Sequence, residues 1–336
     1  MSQRLSIALI VHHELIPDLS IKKIKKSDRL SFPWITEWDV ANSLLRLGHG
    51  ILFYPIEKKQ CIDELVKDAS NFDLVFNLLE EVESDPKKDF MLPKILGEKG
   101  VPFTGCSAKE LSFGRDKIFS KNKLERFVQC PKTLSLSDPR FPLILKFNNE
   151  DGSYGIFKKN ICANENELIN RVNFLKERYE GEIYAEEFVP GVEAYVSLFK
   201  NSDGEIITFP PRELIFPLSK SPEKEIYSQT AKWSEGYQSN RKIETVQMTD
   251  QILAQKLKKL SENIYRNMDF TGPMRIDFRC NDSGEFLLEI NPNPNLAIDD
   301  DFYLSMKSAG IDYDEMINSF LKVAMNRVSI EVKSSA

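Results

Sequence analysis

The sequence predicts an α/β protein, in part α+β, that contains more than one domain. Strand-like apolar runs alternate with helix-like segments over the first 110 residues, which is typical of an open parallel sheet. A β-hairpin at residues 273–291 indicates a further mixed or antiparallel sheet. A chain of 336 residues is longer than one hydrophobic core usually holds, so we expect two or three domains.

The predicted parallel sheet begins with residues 5–11, an apolar run typical of a strand buried on both faces. A helix follows over residues 36–50, with Thr36 as its predicted N-cap and Gly48 as its stop signal. The remaining elements of this part are strands at 51–56, 73–79 and 101–105 and a helix near 89–99.

The segment that joins the first strand to this helix, residues 12–35, is unusually long and carries the basic run IKKIKKSDR. Charge patterning favours a solvated loop. Connections of this length are often functional, so a substrate lid is the alternative.

The pattern of predicted helices and strands changes near residue 111. The first predicted elements are a basic helix at 115–127, a strand at 141–147, an amphipathic helix at 167–179 and a strand at 182–189. After short strands at 196–200 and 205–211, we expect a polar loop over 217–241, a helix at 250–267, the hairpin and a final helix at 312–328.

Charge and cysteine content exclude several classes of protein. A net charge of −6 argues against binding to a nucleic-acid backbone, because such proteins usually present a basic face. The five cysteines are scattered without a CxxC pair, which is typical of reduced cytoplasmic thiols and not of disulfides or a zinc site. The apolar run at 5–11 is too short to span a membrane. We therefore expect a cytoplasmic protein without nucleic-acid or membrane partners.

The hairpin combines an apolar face with a polar one. A three-residue loop that ends at Gly284 pairs Asn281 with Glu285, and this register places Asp277 opposite Glu289 and Arg275 opposite Asn291. These four polar side chains then share one face of the ribbon. The opposite, core face carries Met274, Ile276, Phe278, Phe286, Leu288 and Ile290.

Two carboxylates and an amide oxygen on neighbouring strands are the hard oxygen ligands that Mg²⁺ prefers, with phosphates filling its other positions. Arg275 could bind a phosphoryl group or oxyanion beside that metal. The alternative is a cross-strand salt-bridge network on a solvated face. Pro292 and Pro294 favour the metal site, because they end the strand at the rim where ligands bind.

A second segment could bind the phosphates of a nucleotide. Lys146 ends a buried strand, and Gly152, Ser153 and Gly155 follow in a turn whose backbone N–H groups could form an anion nest. The alternative is a plain hairpin turn, since the chain has neither a Walker A nor a dinucleotide fingerprint.

Taken in order, these motifs resemble the ATP-grasp superfamily, and most closely its D-alanine–D-alanine ligase-like branch, over roughly residues 36–295. RIDFRCNDSGEFLLEINPNPN is similar to the metal segment of the family, PFTGCSAKELSFGRDK and FPLILKFNNEDGSYGI to its two phosphate-binding segments, and EEFVPGVEAYV to its adenine-binding hinge. The resemblance implies an N-terminal α/β domain (1–110), a small mobile central domain (111–190) and a C-terminal domain with the metal site (191–336). ATP would lie between the last two.

The resemblance also implies roles for individual residues. The metal, Mg²⁺ or Mn²⁺, would be held by Asp277, Glu289 and Asn291. The residues implied in catalysis are Arg275, Lys232 and Ser153, and those implied in ATP binding are Lys117, Lys146, Ser153, Glu186, Val189, Glu193 and Lys232.

The sequence departs from the D-alanine ligases where substrates bind. The loop that carries their first-substrate glutamate reads VHHELIPDL here, so Glu37 is the predicted substitute, with His12 and Asn295 as further substrate residues. Asp299, Asp300 and Asp301 stand where those ligases have a hydroxyl for the acceptor carboxylate. We expect such an acidic patch to favour a cationic amine or peptide acceptor, and we do not expect D-alanine as the substrate.

The predicted function is ATP-dependent ligation of a carboxylate to an amine through an acyl phosphate, with release of ADP and phosphate. ATP and a small amino acid or peptide are the predicted partners, and the resemblance allows a homodimer formed through the first domain. The alternatives are an ATP-grasp kinase, a carboxylate–thiol ligase, and a nucleotide-binding protein without turnover.

Overall fold

A computed structural model of the chain describes residues 4–150 and 152–334. Its amino-terminal part contains a parallel sheet in the order β2-β1-β3. The strands are β1 (Ser6–His12), β2 (Gly50–Ile56) and β3 (Leu74–Asn77), and the helices between and after them are α1 (Ile35–Arg46), α2 (Lys59–Lys67) and α3 (Met91–Glu98).

A second, antiparallel sheet follows in the order β4-β7-β5-β6. Its strands are β4 (Thr133–Leu134), β5 (Leu143–Phe147), β6 (Ile161–Cys162) and β7 (Ile183–Glu187). The helices of this part are α4 (Ala108–Arg115), α5 (Lys117–Leu124) and α6 (Glu165–Arg178). Leu168 and Leu175 of α6 share a small core with this sheet, whereas Leu111 and Leu124 of α4 and α5 pack into the core of the next sheet.

The third sheet is antiparallel, with the main order β11-β10-β8-β12-β13 and β9 paired to β8. Its strands are β8 (Val192–Lys200), β9 (Ile206–Thr208), β10 (Arg212–Ile215), β11 (Glu244–Gln247), β12 (Met274–Asn281) and β13 (Gly284–Asn291). The helices of this part are α7 (Gln229–Trp233), α8 (Glu235–Arg241), α9 (Gln251–Asn267), α10 (Asp301–Ser308) and α11 (Tyr313–Ser334).

Helices α10 and α11 pack against the first sheet. Phe302 of α10 and Ile317 of α11 share a core with Val40 of α1 and Leu9 of β1. The connection between β13 and α10 therefore lies where the amino-terminal and carboxyl-terminal parts of the chain meet. The domain boundaries at residues 110 and 190 stay a prediction.

Several predicted elements differ from the structure. Helix α1 begins at Ile35 after the N-cap Trp34, so Thr36 lies inside it and is not its N-cap. The Thr36 hydroxyl bonds to Asn295. Residues 101–105 form an isolated bridge at Phe103 and not a strand. The predicted loop over 217–241 contains α7 and α8, each capped by a serine side chain. The sequence analysis does not predict helices α2, α4 and α10.

Within the described residues, no helix is both long enough and apolar enough to cross a lipid bilayer.

Candidate active site

The β12–β13 hairpin forms the base of the site. Asp277 lies opposite Glu289 and Arg275 opposite Asn291, as the sequence predicts. The predicted turn is wrong, because Asn281 pairs with Gly284, and a β-bulge beside Asp277 restores the predicted register.

The bulge also changes which leucine enters the core. Leu287, opposite Phe278, is buried in the core, whereas Leu288 lines the cavity beside Glu289. The prediction that Leu288 belongs to the core is therefore wrong. Phe286, also predicted in the core, is only half-buried.

The two opposed carboxylates differ in their surroundings. Arg275 donates two hydrogen bonds of 2.8 Å to Asp277, one to each oxygen. Burial raises the pKa of Asp277, and the negative charge of Glu289 adds to this effect, while Arg275 opposes it. Burial also acts to raise the pKa of Glu289, but Lys117, 3.2 Å from its Oε2, together with Arg275 and Lys146, outweighs burial and lowers it. Glu289 is therefore the more firmly ionised member of the pair.

The side chains of Asp277, Glu289 and Asn291 fit a hard divalent cation. The described residues contain no group of three or more His, Cys, Asp or Glu side chains that could hold a metal by themselves. Two opposed carboxylates and the amide oxygen of Asn291 give a partial ligand set, and phosphate oxygens or water would complete it. The mutual repulsion of Asp277 and Glu289 is what a cation between them would relieve.

A cavity of about 950 Å³, termed here the nucleotide cavity, lies between the second and third sheets and is lined in part by the hairpin. The apolar side chains in its wall include those of Ile144, Phe188, Ile226 and Leu288. Every residue predicted to bind ATP, hold the metal or act in catalysis lines it: Lys117, Lys146, Ser153, Glu186, Val189, Glu193, Lys232, Arg275, Asp277, Glu289 and Asn291.

Glu186 is fully buried at this cavity and pairs with two lysines. Lys146 Nζ lies 2.8 Å from Glu186 Oε2, and Lys121 binds the other oxygen. Burial acts to raise the pKa of Glu186, but the two lysines outweigh it and lower the pKa to about 2. Lys121 was not predicted, although its spacing of four residues from Lys117 in α5 places both lysines on one helix face.

The hinge between β7 and β8 is held by Arg279, a second residue that sequence reasoning missed. Its Nε donates to the Val189 carbonyl (3.2 Å) and its Nη1 lies 3.0 Å from Glu193, which also accepts from the Tyr195 hydroxyl at 2.8 Å. Arg279 stands two residues beyond Asp277 on the same strand, so the alternation of side chains could have indicated it. At Gly191, φ is +145° and an added Cβ would lie 2.1 Å from the Cys280 carbonyl oxygen, so this close approach requires glycine.

The predicted anion loop is bonded to the segment that carries Lys232. Ser153 Oγ donates to the Tyr227 carbonyl (2.9 Å), and Trp233 Nε1 donates to the Gly152 carbonyl (3.0 Å). Lys232 lies between these contacts on α7 and lines the nucleotide cavity.

A second cavity, of about 1550 Å³ and termed here the Glu37 cavity, is lined by Glu37 and Asn295. Glu37 is only 4% exposed, and its Oε2 has no hydrogen-bond partner among the residues that the structure describes. Burial, with smaller contributions from Glu80 and Asp39, raises the pKa of Glu37 to about 8. A cation bound at the unpartnered Oε2 would favour the ionised form of Glu37, which burial alone disfavours.

A third cavity, of about 1360 Å³ and termed here the junction cavity, shares lining residues with both others. It shares Arg275 and Asn291 with the nucleotide cavity and Trp233 and Asn295 with the Glu37 cavity. Lys232 lines all three.

The structure separates His12 from the other predicted substrate residues. His12 ends β1, with its Nε2 3.3 Å from Glu81, and lines a separate surface cavity together with His13. It does not line the cavities that contain Glu37 and Asn295. Glu81, which His12 contacts, lines both this surface cavity and the junction cavity, and the substrate role of His12 stays a prediction.

The three consecutive aspartates do not form the acidic patch expected from the sequence. Asp299 accepts two hydrogen bonds from Arg29, which also pairs with Asp39. Asp301 lies 2.9 Å from Arg212. Asp300 forms no ion pair with any described residue. Arg29 and Arg212 are distant in sequence from these aspartates. The local sequence pattern therefore could not show that the charges of Asp299 and Asp301 are neutralised.

Comparison with known proteins identifies the family. Residues 111–322 match the family model described as D-ala D-ala ligase C-terminus. The chain belongs to this family. The predicted assignment to the ATP-grasp ligases of the D-alanine–D-alanine ligase-like branch is thereby confirmed.

Individual relatives agree with this assignment. The chain is 27% identical over 297 residues to a D-alanine–D-alanine ligase of Petrotoga mobilis, covering 87% of this chain and 92% of that one. The structure is similar to that of the D-alanine–D-alanine ligase from Bacillus anthracis complexed with ATP, with a TM-score of 0.70 and 17% identity over 97% and 99% of the two chains. It is also similar to VanG D-Ala:D-Ser ligase from Enterococcus faecalis, with a TM-score of 0.67, 16% identity and coverage of 96% and 100%. These likenesses confirm the predicted fold class.

Proposed function

We propose that this protein is an ATP-dependent ligase that joins the carboxylate of an amino acid to an amine through an acyl phosphate. The observation that carries this proposal is the pair of opposed carboxylates, Asp277 and Glu289, in a cavity that also contains Arg275 and Lys117. Opposed carboxylates beside cations suit metal-bound phosphates, whereas a protein that only bound nucleotide would not need them.

The nucleotide cavity supplies positive charge for the triphosphate. Lys117, Lys146 and Lys232 line it with Arg275, and Gly152 and Ser153 of the predicted anion loop line the same space. A bound Mg²⁺ or Mn²⁺ would be held by the hairpin carboxylates and Asn291 and would neutralise phosphate oxygens. Phosphoryl transfer depends mainly on such positioning and charge neutralisation.

The donor would bind in the Glu37 cavity and reach the γ-phosphate through the junction cavity. The ammonium group of an amino acid would pair with Glu37, whose buried Oε2 has no partner among the described residues, and would favour the ionised form of this side chain. A donor carboxylate oxygen then bonds to the γ-phosphorus while the bond from that phosphorus to the bridging oxygen breaks, which gives an acyl phosphate and ADP.

The acceptor would enter the junction cavity beside Arg275. Its amine, after losing one proton, attacks the acyl carbon, and the carbon–oxygen bond to phosphate breaks. The second amine proton is released and inorganic phosphate leaves. Arg275, which lines this cavity, would stabilise the oxyanion that forms between these events.

The names of the relatives favour D-alanine as a substrate, since the Petrotoga mobilis relative is called a D-alanine–D-alanine ligase. We propose D-alanine or another small amino acid as the donor. We keep the prediction that D-alanine is not a substrate for the acceptor alone, and we no longer apply it to the donor. A homodimer and a cytoplasmic location stay predictions, and so do the rival kinase and thiol-ligase chemistries.

The proposal is tested with Glu289→Gln and the matched control Glu285→Gln, which changes a glutamate of the same strand that pairs with Lys256. Release of ADP is measured with a panel of amino acids and dipeptides, and the product mass is determined. We expect amide formation by the wild type and the control, and a loss of at least 100-fold in Glu289→Gln with unchanged thermal unfolding. Equal ADP release by Glu289→Gln would contradict the metal assignment, and a phosphorylated product would favour the kinase.

A further inference from the structure

Arg279 lines the nucleotide cavity, although it is only 2% exposed. Its guanidinium donates hydrogen bonds to three backbone carbonyls and one carboxylate. The carbonyls are those of Val189 (3.2 Å), Glu223 (3.4 Å) and Glu225, and the carboxylate is that of Glu193 (3.0 Å). One side chain therefore joins the hinge between β7 and β8, the start of β8 and the segment that precedes α7.

Glu193 is the partner through which Arg279 can act on a ligand, because Glu193 also lines the nucleotide cavity. Its Oε2 accepts from Arg279, and its Oε1 accepts from the Tyr195 hydroxyl at 2.8 Å. The two oxygens of an ionised carboxylate offer about four acceptor sites, so about two remain for the donors of a ligand. The two existing bonds hold the carboxylate in one orientation, so the remaining sites have fixed directions.

The strand register places Glu193 between the two ends of the nucleotide cavity. Glu193 pairs with Arg279 across β8 and β12. The next pair on the same face, Tyr195 with Asp277, lies two residues further along the strands, or about 7 Å.

The two ends of the cavity suit different parts of a nucleotide. The hinge end, with the apolar side chains of Phe188 and Val189, suits a base, and the end with Asp277 suits metal-bound phosphates. The group between a base and its phosphates is the sugar. Sugar hydroxyls can donate to the Glu193 carboxylate, whereas phosphate oxygens would be repelled by it.

We propose that Arg279 is a positioning residue that holds the Glu193 carboxylate for the hydroxyl groups of the nucleotide sugar, and that it thereby makes the cavity selective for ribonucleotides. The same guanidinium fixes the Val189 carbonyl, so the hinge end and the sugar position are held together. This inference rests on the proposed function only for the binding of ATP, and it does not depend on the amino-acid substrates.

The test measures the preference of the protein for ADP over 2′,3′-dideoxy-ADP, which lacks both sugar hydroxyls, by calorimetric titration with Mg²⁺ present. The proteins are the wild type, Arg279→Lys and the control Arg171→Lys, which changes a buried arginine of α6 that bonds to Asn160. We expect the wild type and the control to bind ADP roughly tenfold or more tightly than the dideoxy nucleotide, as hydrogen bonds to a charged acceptor imply. In Arg279→Lys this ratio should fall to about threefold or less, because one ammonium group cannot replace the bonds of the guanidinium.

A double-mutant comparison shows whether Arg279 acts through Glu193. The ratio should already be low in Glu193→Gln, and adding Arg279→Lys should change it by less than about twofold. Thermal unfolding of each variant is measured as well. A merely structural role of Arg279 would lower stability, or weaken the binding of both nucleotides equally, and leave the ratio unchanged.

Four results would overturn the inference: no preference for ADP in the wild type, a wild-type ratio in Arg279→Lys, an equal fall of the ratio in Arg171→Lys, or the same effect of Arg279→Lys with and without Glu193. If Arg279→Lys does not fold, Glu193→Gln keeps the carbonyl bonds of Arg279, and a wild-type ratio in that variant would also overturn the inference.

The outcome is distinct from a failure of the proposed function, because it needs no turnover. A wild type that prefers ADP through Arg279 but forms no amide would reject the ligase assignment and retain this inference. A wild type that forms an amide and uses 2′,3′-dideoxy-ATP as readily as ATP would do the reverse.

Discussion

Asp277 and Glu289 lie directly opposite each other on antiparallel strands, and a β-bulge separates this pair from the hairpin turn. The turn pairs Asn281 with Gly284, and the same register continued without the bulge would place Leu288 opposite Asp277. One additional residue in β13 therefore determines that a second carboxylate, and not a leucine, lies opposite Asp277.

The bulge predicts different effects for two adjacent leucines. We expect Leu288→Ala to weaken ATP binding by about 1 kcal/mol, roughly fivefold, because this side chain lines the nucleotide cavity. Leu287→Ala, the matched control, should instead lower the free energy of unfolding by about 2–5 kcal/mol, because it leaves a void in the core. Urea unfolding and titration with an ATP analogue measure the two quantities. Similar effects of both substitutions would contradict the described register.

The buried pair of lysines around Glu186 predicts a large effect on stability. Lys121→Met should lower the free energy of unfolding by roughly 3 kcal/mol, because it removes one of the two cations paired with a fully buried carboxylate. Lys123→Met, on the exposed part of the same helix, should change stability by less than about 0.5 kcal/mol. Urea unfolding provides the measurement. Equal free energies of unfolding for the two variants would show that the Lys121–Glu186 contact contributes little to stability.

Glu37 predicts a stability that depends on pH. Its pKa of about 8 in the folded protein exceeds the ordinary value of 4.5, so the folded state holds the proton more tightly and stability falls as the pH rises from 4.5 to 8. We expect Glu37→Gln to be more stable than the wild type by roughly 1–3 kcal/mol at pH 9, with little of this gain at pH 5.

The measurement is thermal unfolding of both proteins between pH 5 and pH 9. Glu98→Gln, on an exposed position of α3, is the control and should show no such pH-dependent gain. A Glu37→Gln variant that gained nothing at high pH would show that the folded protein stabilises the charged carboxylate. The buried environment described for Glu37 would then be wrong.

The hydrogen bond between Trp233 and the Gly152 carbonyl predicts an effect on ATP use. Trp233→Phe removes the donor but keeps an aromatic side chain, so we expect kcat/KM for ATP to fall about 2- to 10-fold, as the loss of one hydrogen bond implies. Trp38→Phe removes an equivalent bond to the Ile21 carbonyl in the amino-terminal part and should leave this parameter unchanged. Steady-state kinetics at varied ATP concentration measures kcat/KM for both variants. An equal decrease in both would show that the decrease does not come from the loss of the Trp233–Gly152 hydrogen bond.

Local sequence patterns were sufficient for the residues that project from regular strands. The alternation along β12 and β13 placed Arg275, Asp277, Glu289 and Asn291 on one face, and these positions line the nucleotide cavity in the structure. The turn was mispredicted because two compensating irregularities, a shorter loop and a bulge, leave the same register at the site.

Contacts between distant segments could not be predicted. The ion pairs of Asp299 with Arg29 and of Asp301 with Arg212 join residues far apart in sequence, and no local pattern indicates them. Lys121 and Arg279 had recognisable positions on a helix face and a strand face, but their importance depends on partners from other elements. For the same reason, the separation of His12 from Glu37 and Asn295 was visible only in the folded chain.

Lys232 borders the nucleotide, junction and Glu37 cavities at once, on a helix of five residues. A displacement of this helix would open all three compartments together. The departure of ADP and the departure of the ligated product would then depend on one movement, and we expect a single slow step to limit both at high substrate concentration.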